Sequence, residues 1–259
     1  MDVLYDEINT NNARMIRKKT LHYNEGVQAF EGNIYWEDSK PGKKPGVLIA
    51  HAFGGQSEFE WNKAIELAKL GYVGFAIDLY GKGKRASSNE EAQALMNELD
   101  SNRELLLKRM QLSLNTLMIF EQVDNKRIGA IGFCFGGKCV LDLARSGADI
   151  RGVVSFHGLY DKPSINHESP VKAAILVLHG WDDPLAPPDQ TVELAKELTQ
   201  RKANWQLLSF ENTGHAFTNP KAQFPEKGMF YHALSSRRGW RAMVHFFLEV
   251  FEGDDNDEE

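Results

Sequence analysis

Cysteine is scarce: the 259 residues contain two, Cys134 and Cys139. So small a number excludes a secreted disulfide scaffold, and their spacing fits neither a CxxC redox pair nor a zinc-ligand set. Any cysteine chemistry here is the chemistry of a thiol. Long apolar runs are missing too, since no stretch approaches the ~18 residues of a membrane span. The first twenty residues are polar and charged, without the apolar centre of a secretory signal. A cytoplasmic protein with no membrane partner is expected. Basic charge is also in short supply. The formal net charge is −6, and because the last seven residues, GDDNDEE, carry five acidic groups, the body of the chain is close to neutral. It lacks the broad positive field on which nonspecific nucleic-acid binding depends, which excludes DNA or RNA as the main partner. No internal repeat and no interdomain linker is visible.

What is present is ordinary globular material, 42% hydrophobic and 25% charged, enough for a packed core. The length suits a single domain over residues 1–252, followed by an acidic, disordered tail at 253–259. From Val47 onward, short apolar runs alternate with longer helical patterns, the signature of an α/β fold with a mostly parallel, twisted sheet and helices on both faces. Strands without polar alternation, as expected for burial on both faces, are read at Val47 to Ala50, Tyr72 to Ile77, Arg127 to Phe133, Gly152 to Phe156, Ala174 to His179 and Trp205 to Phe210. Val27 to Trp36 mixes apolar and polar residues ahead of a turn at Lys40 to Lys43 and suits an antiparallel edge. Helical stripes run through Trp61, Ala64, Ile65 and Ala68, stopping at Gly71, and through Leu106, Met110, Leu114 and Leu117. The clearest is Trp240, Met243, Val244, Phe247, Leu248 and Phe251. Ser87 to Asp100 and Ser164 to Lys172 read as excursions.

The strand from Arg127 runs into GFCFGG, Gly132 to Gly137, and then into a helix-compatible segment. Strand, sharp turn and helix form the setting of a nucleophile elbow, usually GxSxG, in which small residues flank a strained nucleophile. Here Cys134 replaces the serine. A thiol at a helix N-terminus meets unpaired amides and a positive dipole end, both favouring the thiolate. Cys139 lies deeper in the same helix and reads as structural. A cysteine nucleophile needs a base and a group to orient it. Asp182 and Asp183 follow the AILVLHG strand, and His215 follows QLLSF, so both fall on loops after strands, at the sheet edge where open α/β folds bind ligands. The order nucleophile, acid, histidine is that of the α/β hydrolases. Spacing alone does not choose between Asp182 and Asp183, because either could cap the helix that begins near Pro188. His157, which ends the GVVSF strand, reaches the same edge and is the rival base.

With VLIAHAFGG, AIDLYGKG, IGFCFGGK, LHGWDDPLAPP and GHAFTNP in hand, the chain from about Gly46 to Phe251 resembles the dienelactone hydrolase family, the cysteine-nucleophile branch of the α/β hydrolases. The resemblance implies an α/β-hydrolase fold with Cys134 as nucleophile, His215 as base and Asp183 as the orienting acid, Asp183 being the aspartate that matches the family's position before the AP of LAPP. It also implies oxyanion donors from the backbone amides of Phe135 and of Ala52 or Phe53, and no metal or organic cofactor. The family carries a glutamate on the HAFGG loop where this sequence has His51 and Ala52. His51 is a candidate to hold the loop or to contact Cys134 or substrate. Where the family binds a substrate carboxylate with two arginines, Lys82 and Asn219 stand here, with Lys84 and Arg85 nearby. Lys82, Asn219, His51 and His157 are therefore the candidate substrate contacts.

These readings predict a hydrolase that cleaves a small ester or lactone through an acyl-thioester, acting as a monomer or homodimer. A thioesterase or acyltransferase would use the same triad. A noncatalytic protein of this fold and a thiol redox sensor are the rivals from other classes. GFCFGGKC also approaches a phosphate-binding GxxxxGK[ST], but a thiol is a poor magnesium ligand and Phe133 and Phe135 would crowd the loop.

Overall fold

A computed structural model describes residues 15–39, 41–164 and 170–252. The expected acidic tail, Lys40 of the expected turn and most of the excursion after Ser164 lie outside the described residues. The chain groups into two compact units that divide between Gly129 and Ala130.

In the first unit, β1 (Ile16–Glu25) and β2 (Gln28–Glu37) form an antiparallel hairpin. The β2 strand covers the stretch read as an antiparallel edge, Val27 to Trp36, but it is paired on both sides, so the edge falls to β1. Its partner β1, IRKKTLHYNE, is too rich in charge to register as a strand by pattern. Then come β3 (Lys44–Ala50), helix α1 (Glu58–Lys69) and β4 (Val73–Ala76). The β3 and β4 strands are parallel, and β4 pairs antiparallel with β2 on its other side. Helix α1 starts at a reciprocal capping box between Ser57 and Glu60, and Gly71 follows its end at φ 93°. It buries Ala64, Leu67 and Ala68.

Ser87 to Asp100, expected as an excursion, contains helix α2 (Asn89–Asp100), N-capped by Ser88. Only Ala92 and Leu99 of this helix are buried, too few to mark a stripe. Helix α3 (Arg103–Met118) buries Leu106, Met110, Leu114 and Leu117 as its pattern predicts. Strand β5 (Val123–Phe133) begins in this unit and runs on into the second.

In the second unit β5 leads into helix α4 (Phe135–Arg145), β6 (Gly152–Phe156), β7 (Ala174–Gly180), helix α5 (Pro188–Gln200) and β8 (Trp205–Phe210). The β6, β7 and β8 strands are parallel, in a register that pairs Phe156 with Leu178 and Gly180 with Phe210. Their carboxyl ends, and the loops that follow, therefore emerge together. The β8 strand departs from the expected two-sided burial. As the last strand in the order it alternates, leaving Gln206 and Leu208 exposed. A short hairpin follows, β9 (Gln223–Phe224) and β10 (Met229–Phe230), joined by a 3-10 turn at Pro225–Lys227.

Helix α6 (Ala233–Glu252) is the last described element and buries Met243, Phe246 and Phe247. Phe246 takes the place expected for Leu248, which faces out. Each such side chain withdrawn from water is worth roughly 1.5–3 kcal/mol. Helix α4 is buried along its whole length. At its C-terminal end the buried Arg145 donates from Nε and Nη2 to the two carboxylate oxygens of Glu197 at 3.0 and 2.8 Å, fixing α4 against α5. Among the described residues no helix is long and apolar enough to cross a membrane.

Candidate active site

The elbow begins with a contact that forbids a side chain. A Cβ on Gly132 would lie 2.0 Å from the Gly136 carbonyl oxygen, so only glycine lets the strand and the first turn of α4 approach this closely. Cys134, between them, is held at φ 54° and ψ −117°, a conformation that costs a non-glycine residue about 1–3 kcal/mol and persists only when its surroundings enforce it. The Cys134 N–H is shared between Phe156 O at 3.1 Å and His157 Nδ1 at 3.2 Å, and the Cys134 carbonyl accepts from Gly137 N at 2.9 Å. The turn leaves the Cys134 side chain half-exposed at the start of α4, where Cys134 occupies the N-cap position without a side-chain capping bond. Cys139 is fully buried within that helix.

The candidate acid and the candidate base meet at the ends of β7 and β8. Asp183 is buried. Its Oδ2 lies 2.8 Å from His215 Nδ1, and its Oδ1 accepts from Leu185 N at 2.8 Å. Asp182 points to solvent, and α5 is capped by Pro187, so neither aspartate serves as its cap.

The two loops are stitched through their backbones. Asp182 N donates to Thr213 O at 3.0 Å and Trp181 N to Phe210 O at 2.9 Å. On the other side His215 N donates to Gly228 O at 2.7 Å, and Phe230 N donates to His215 O at 3.1 Å. A Cβ on Gly214 would sit 2.2 Å from Gly228 O, which explains the glycine before the histidine. The β9–β10 hairpin thus pins His215 from one side while the acid loop holds it from the other. No signal in the sequence pattern pointed to that hairpin.

With Nδ1 facing Asp183, His215 presents Nε2 on its other side, buried and without a hydrogen-bond partner among the described residues. The Cys134 sulfur is near enough for the two titrations to depend on each other. Burial alone would push the thiol up, but the His215 charge and the Phe135 amide outweigh it and bring Cys134 below the ordinary thiol range. Burial likewise opposes charging His215, yet the Cys134 thiolate and the Asp183 carboxylate raise it to about 10. Both shifts favour a thiolate beside an imidazolium. Behind the acid, Tyr160 Oη and His179 Nδ1 lie 3.1 Å apart, and burial together with the Asp183 charge keeps the tyrosine protonated.

His157 is buried at φ 37°, and both its ring nitrogens are engaged. Nδ1 accepts from Cys134 N at 3.2 Å, and Nε2 lies 2.8 Å from Thr218 Oγ1. Neither nitrogen is left for a substrate. Asn219 is half-buried and uses its Oδ1 to accept from Lys221 N at 2.9 Å. Thr218, within the GHAFTNP stretch, was not singled out from sequence.

In the first unit His51 is fully buried. Its Nε2 accepts from Leu79 N at 3.3 Å, so Nδ1 carries the proton and donates to Ala52 O at 2.7 Å; burial brings it down to about 4 and keeps it neutral. Tyr80 Oη donates to Phe53 O at 2.9 Å. His51 and Tyr80 therefore hold the HAFGG loop. Lys82 pairs with Glu31 at 3.3 Å, and Arg85 with the buried Asp78 at 3.3 Å. No group of three or more His, Cys, Asp or Glu that could hold a metal ion occurs among the described residues.

Parallel strands with crossover helices, and a strained residue on a strand-to-helix elbow, define an α/β hydrolase. The sequence profile of the dienelactone hydrolase family matches residues 30–251, and the chain belongs to that family; it is a hydrolase. It is 30% identical over 187 residues, 68% of this chain and 74% of the other, to a probable 2-oxo-3-(5-oxofuran-2-ylidene)propanoate lactonase of a Bradyrhizobium species. Its fold is similar, with a TM-score of 0.87 and 30% identity over 91% of this chain and 99% of the other, to the crystal structure of a dienelactone hydrolase-like promiscuous phosphotriesterase from metagenomic libraries. A dienelactone hydrolase of Anabaena variabilis, 18% identical at a TM-score of 0.62 over 91% of this chain and 99% of the other, shares the fold.

Proposed function

We propose that the chain hydrolyses a small carboxylic ester or lactone by acyl transfer through Cys134, His215 and Asp183. The observation that carries this reading is the 2.8 Å bond between Asp183 and His215, which leaves Nε2 of the histidine unpartnered among the described residues, with the strained, half-exposed Cys134 near enough to lower its thiol titration. The Cys134 sulfur attacks the carbonyl carbon, and the oxygen takes up the electron pair. The Phe135 amide supports that oxyanion. Such a donor is typically worth about 2.7–4 kcal/mol of barrier.

The carbonyl re-forms as the carbon–oxygen bond to the leaving group breaks, and His215 gives that oxygen its proton. The acyl group is now a thioester on Cys134. Neutral His215, oriented by Asp183, takes a proton from water as the water attacks the thioester, and the acid departs with Cys134 restored as thiolate.

Intact-mass spectrometry after brief exposure to aryl esters, lactones and thioesters should show a single acyl adduct on Cys134, and its yield ranks the donors. An adduct on another residue, or turnover without one, would reject the mechanism. The activity profile should be bell-shaped. kcat/KM should rise as pH passes the lowered Cys134 titration, since the thiolate is the attacking form, and fall near pH 10 as His215 loses the proton owed to the leaving group. A profile that rises only above the ordinary thiol range, ~8.5, would contradict the ion pair.

A further inference from the structure

Two neighbouring strands, β5 and β6, are each followed by a non-glycine residue with positive φ, Cys134 at 54° and His157 at 37°, and a hydrogen bond joins those two residues. The donor is Cys134 N, a main-chain N–H, so His157 Nδ1 can only be an acceptor. The ring proton therefore sits on Nε2 and is donated to Thr218 Oγ1 at 2.8 Å. Thr218 is buried and lies in the segment that carries His215. The His157 ring also stands edge-to-face against His215, with centroids 5.1 Å apart, and against Phe217 at 5.1 Å. Its own N–H donates to Leu178 O at 2.8 Å, which anchors it to β7.

We propose that His157 is a positioning residue: a permanently neutral imidazole that ties the backbone of the nucleophile to the segment bearing the base and walls the base ring on one side. The role depends on the ring staying uncharged, because protonation at Nδ1 would set an N–H against the Cys134 N–H. Burial first, and the neighbouring His215 charge second, hold His157 well below the usual histidine range. The proposal rests on the reading of Cys134 as nucleophile and His215 as base, and it replaces the idea of His157 as a rival base with one of support.

The test uses the full chain and three variants. His157→Phe keeps a ring against His215 but removes both hydrogen bonds. His157→Asn keeps an acceptor oxygen where Nδ1 stood and tolerates positive φ. Thr218→Val removes the partner of Nε2. Readouts are the pH profile of Cys134 alkylation by iodoacetamide, and kcat and KM for an aryl acetate. His157→Phe should lower kcat by about 100-fold with little change in KM, the cost of a nucleophile misplaced by about an ångström, and should move the alkylation profile to higher pH. His157→Asn should restore most of both, and Thr218→Val should shift them in the direction of His157→Phe, less far.

A folded His157→Phe enzyme with wild-type kcat and alkylation profile, or an Asn variant no better than Phe, overturns the proposal. Should His157→Phe fail to fold, nitrogen-15 NMR of the wild-type imidazoles decides. His157 is expected neutral and protonated on Nε2 across the active pH range, and a cation or the other tautomer overturns the assignment. Failure of the broader reading would show differently: ester turnover surviving Cys134→Ala rejects the nucleophile, while the tautomer and the alkylation profile still report on His157.

Discussion

Cys134→Ala is expected to lower kcat by about 10⁴-fold or more, while the folded protein keeps its stability. Removing a covalent nucleophile costs as much as removing the group of residues that acts with it, so no partial activity from His215 should remain beyond the contribution of binding and oxyanion support. The control is built into the same helix. Cys139→Ala removes the only other sulfhydryl, one buried in the body of α4. Turnover should stay near wild type, with a stability loss of about 1 kcal/mol for the vacated space. Steady-state kinetics on purified, monodisperse variants, with melting curves alongside, gives the answer, and the reverse pattern would transfer the chemistry to Cys139.

The second large effect separates two adjacent carboxylates. Asp183→Asn should reduce kcat by about 10²–10⁴-fold, because an amide beside Nδ1 no longer stabilises the imidazolium or fixes its tautomer. Asp182→Asn should change little, since that side chain faces water. A pH profile adds an independent sign. The Asp183 charge is one of the groups holding His215 up near 10, so its removal should bring the alkaline limb down toward neutrality. Equal losses in the two variants, or an unmoved limb, would break the assignment.

Much of this was legible because it is local. Apolar strands stand out, and the limits read for Gly152 to Phe156 and Trp205 to Phe210 coincide with β6, which is fully buried, and β8, which is not. The chain order of Cys134, the aspartate pair and His215 follows from which strand each residue ends. What escaped depends on partners distant in sequence. The β1 strand is polar and became recognisable only beside β2. Helix α2 buries two residues and so has no stripe to detect. Spacing could not choose between Asp182 and Asp183, because a single residue decides which carboxylate turns inward. His157 ends at the ligand-binding edge by its place in the sequence, but both its ring nitrogens are occupied, one by a main-chain N–H from the elbow and one by Thr218.

The way His215 is gripped also says where this enzyme can be remodelled. Its backbone is held by the Gly228 carbonyl and the Phe230 amide and by the close approach of Gly214 to Gly228, while Asp183 and His157 hold its ring. Phe224, Glu226 and Lys227, on the same hairpin, face outward. Laboratory libraries at those three sites should diversify the surface of the hairpin at little cost to chemistry. Lengthening or shortening residues 216–227 would instead drag the imidazole off its mark.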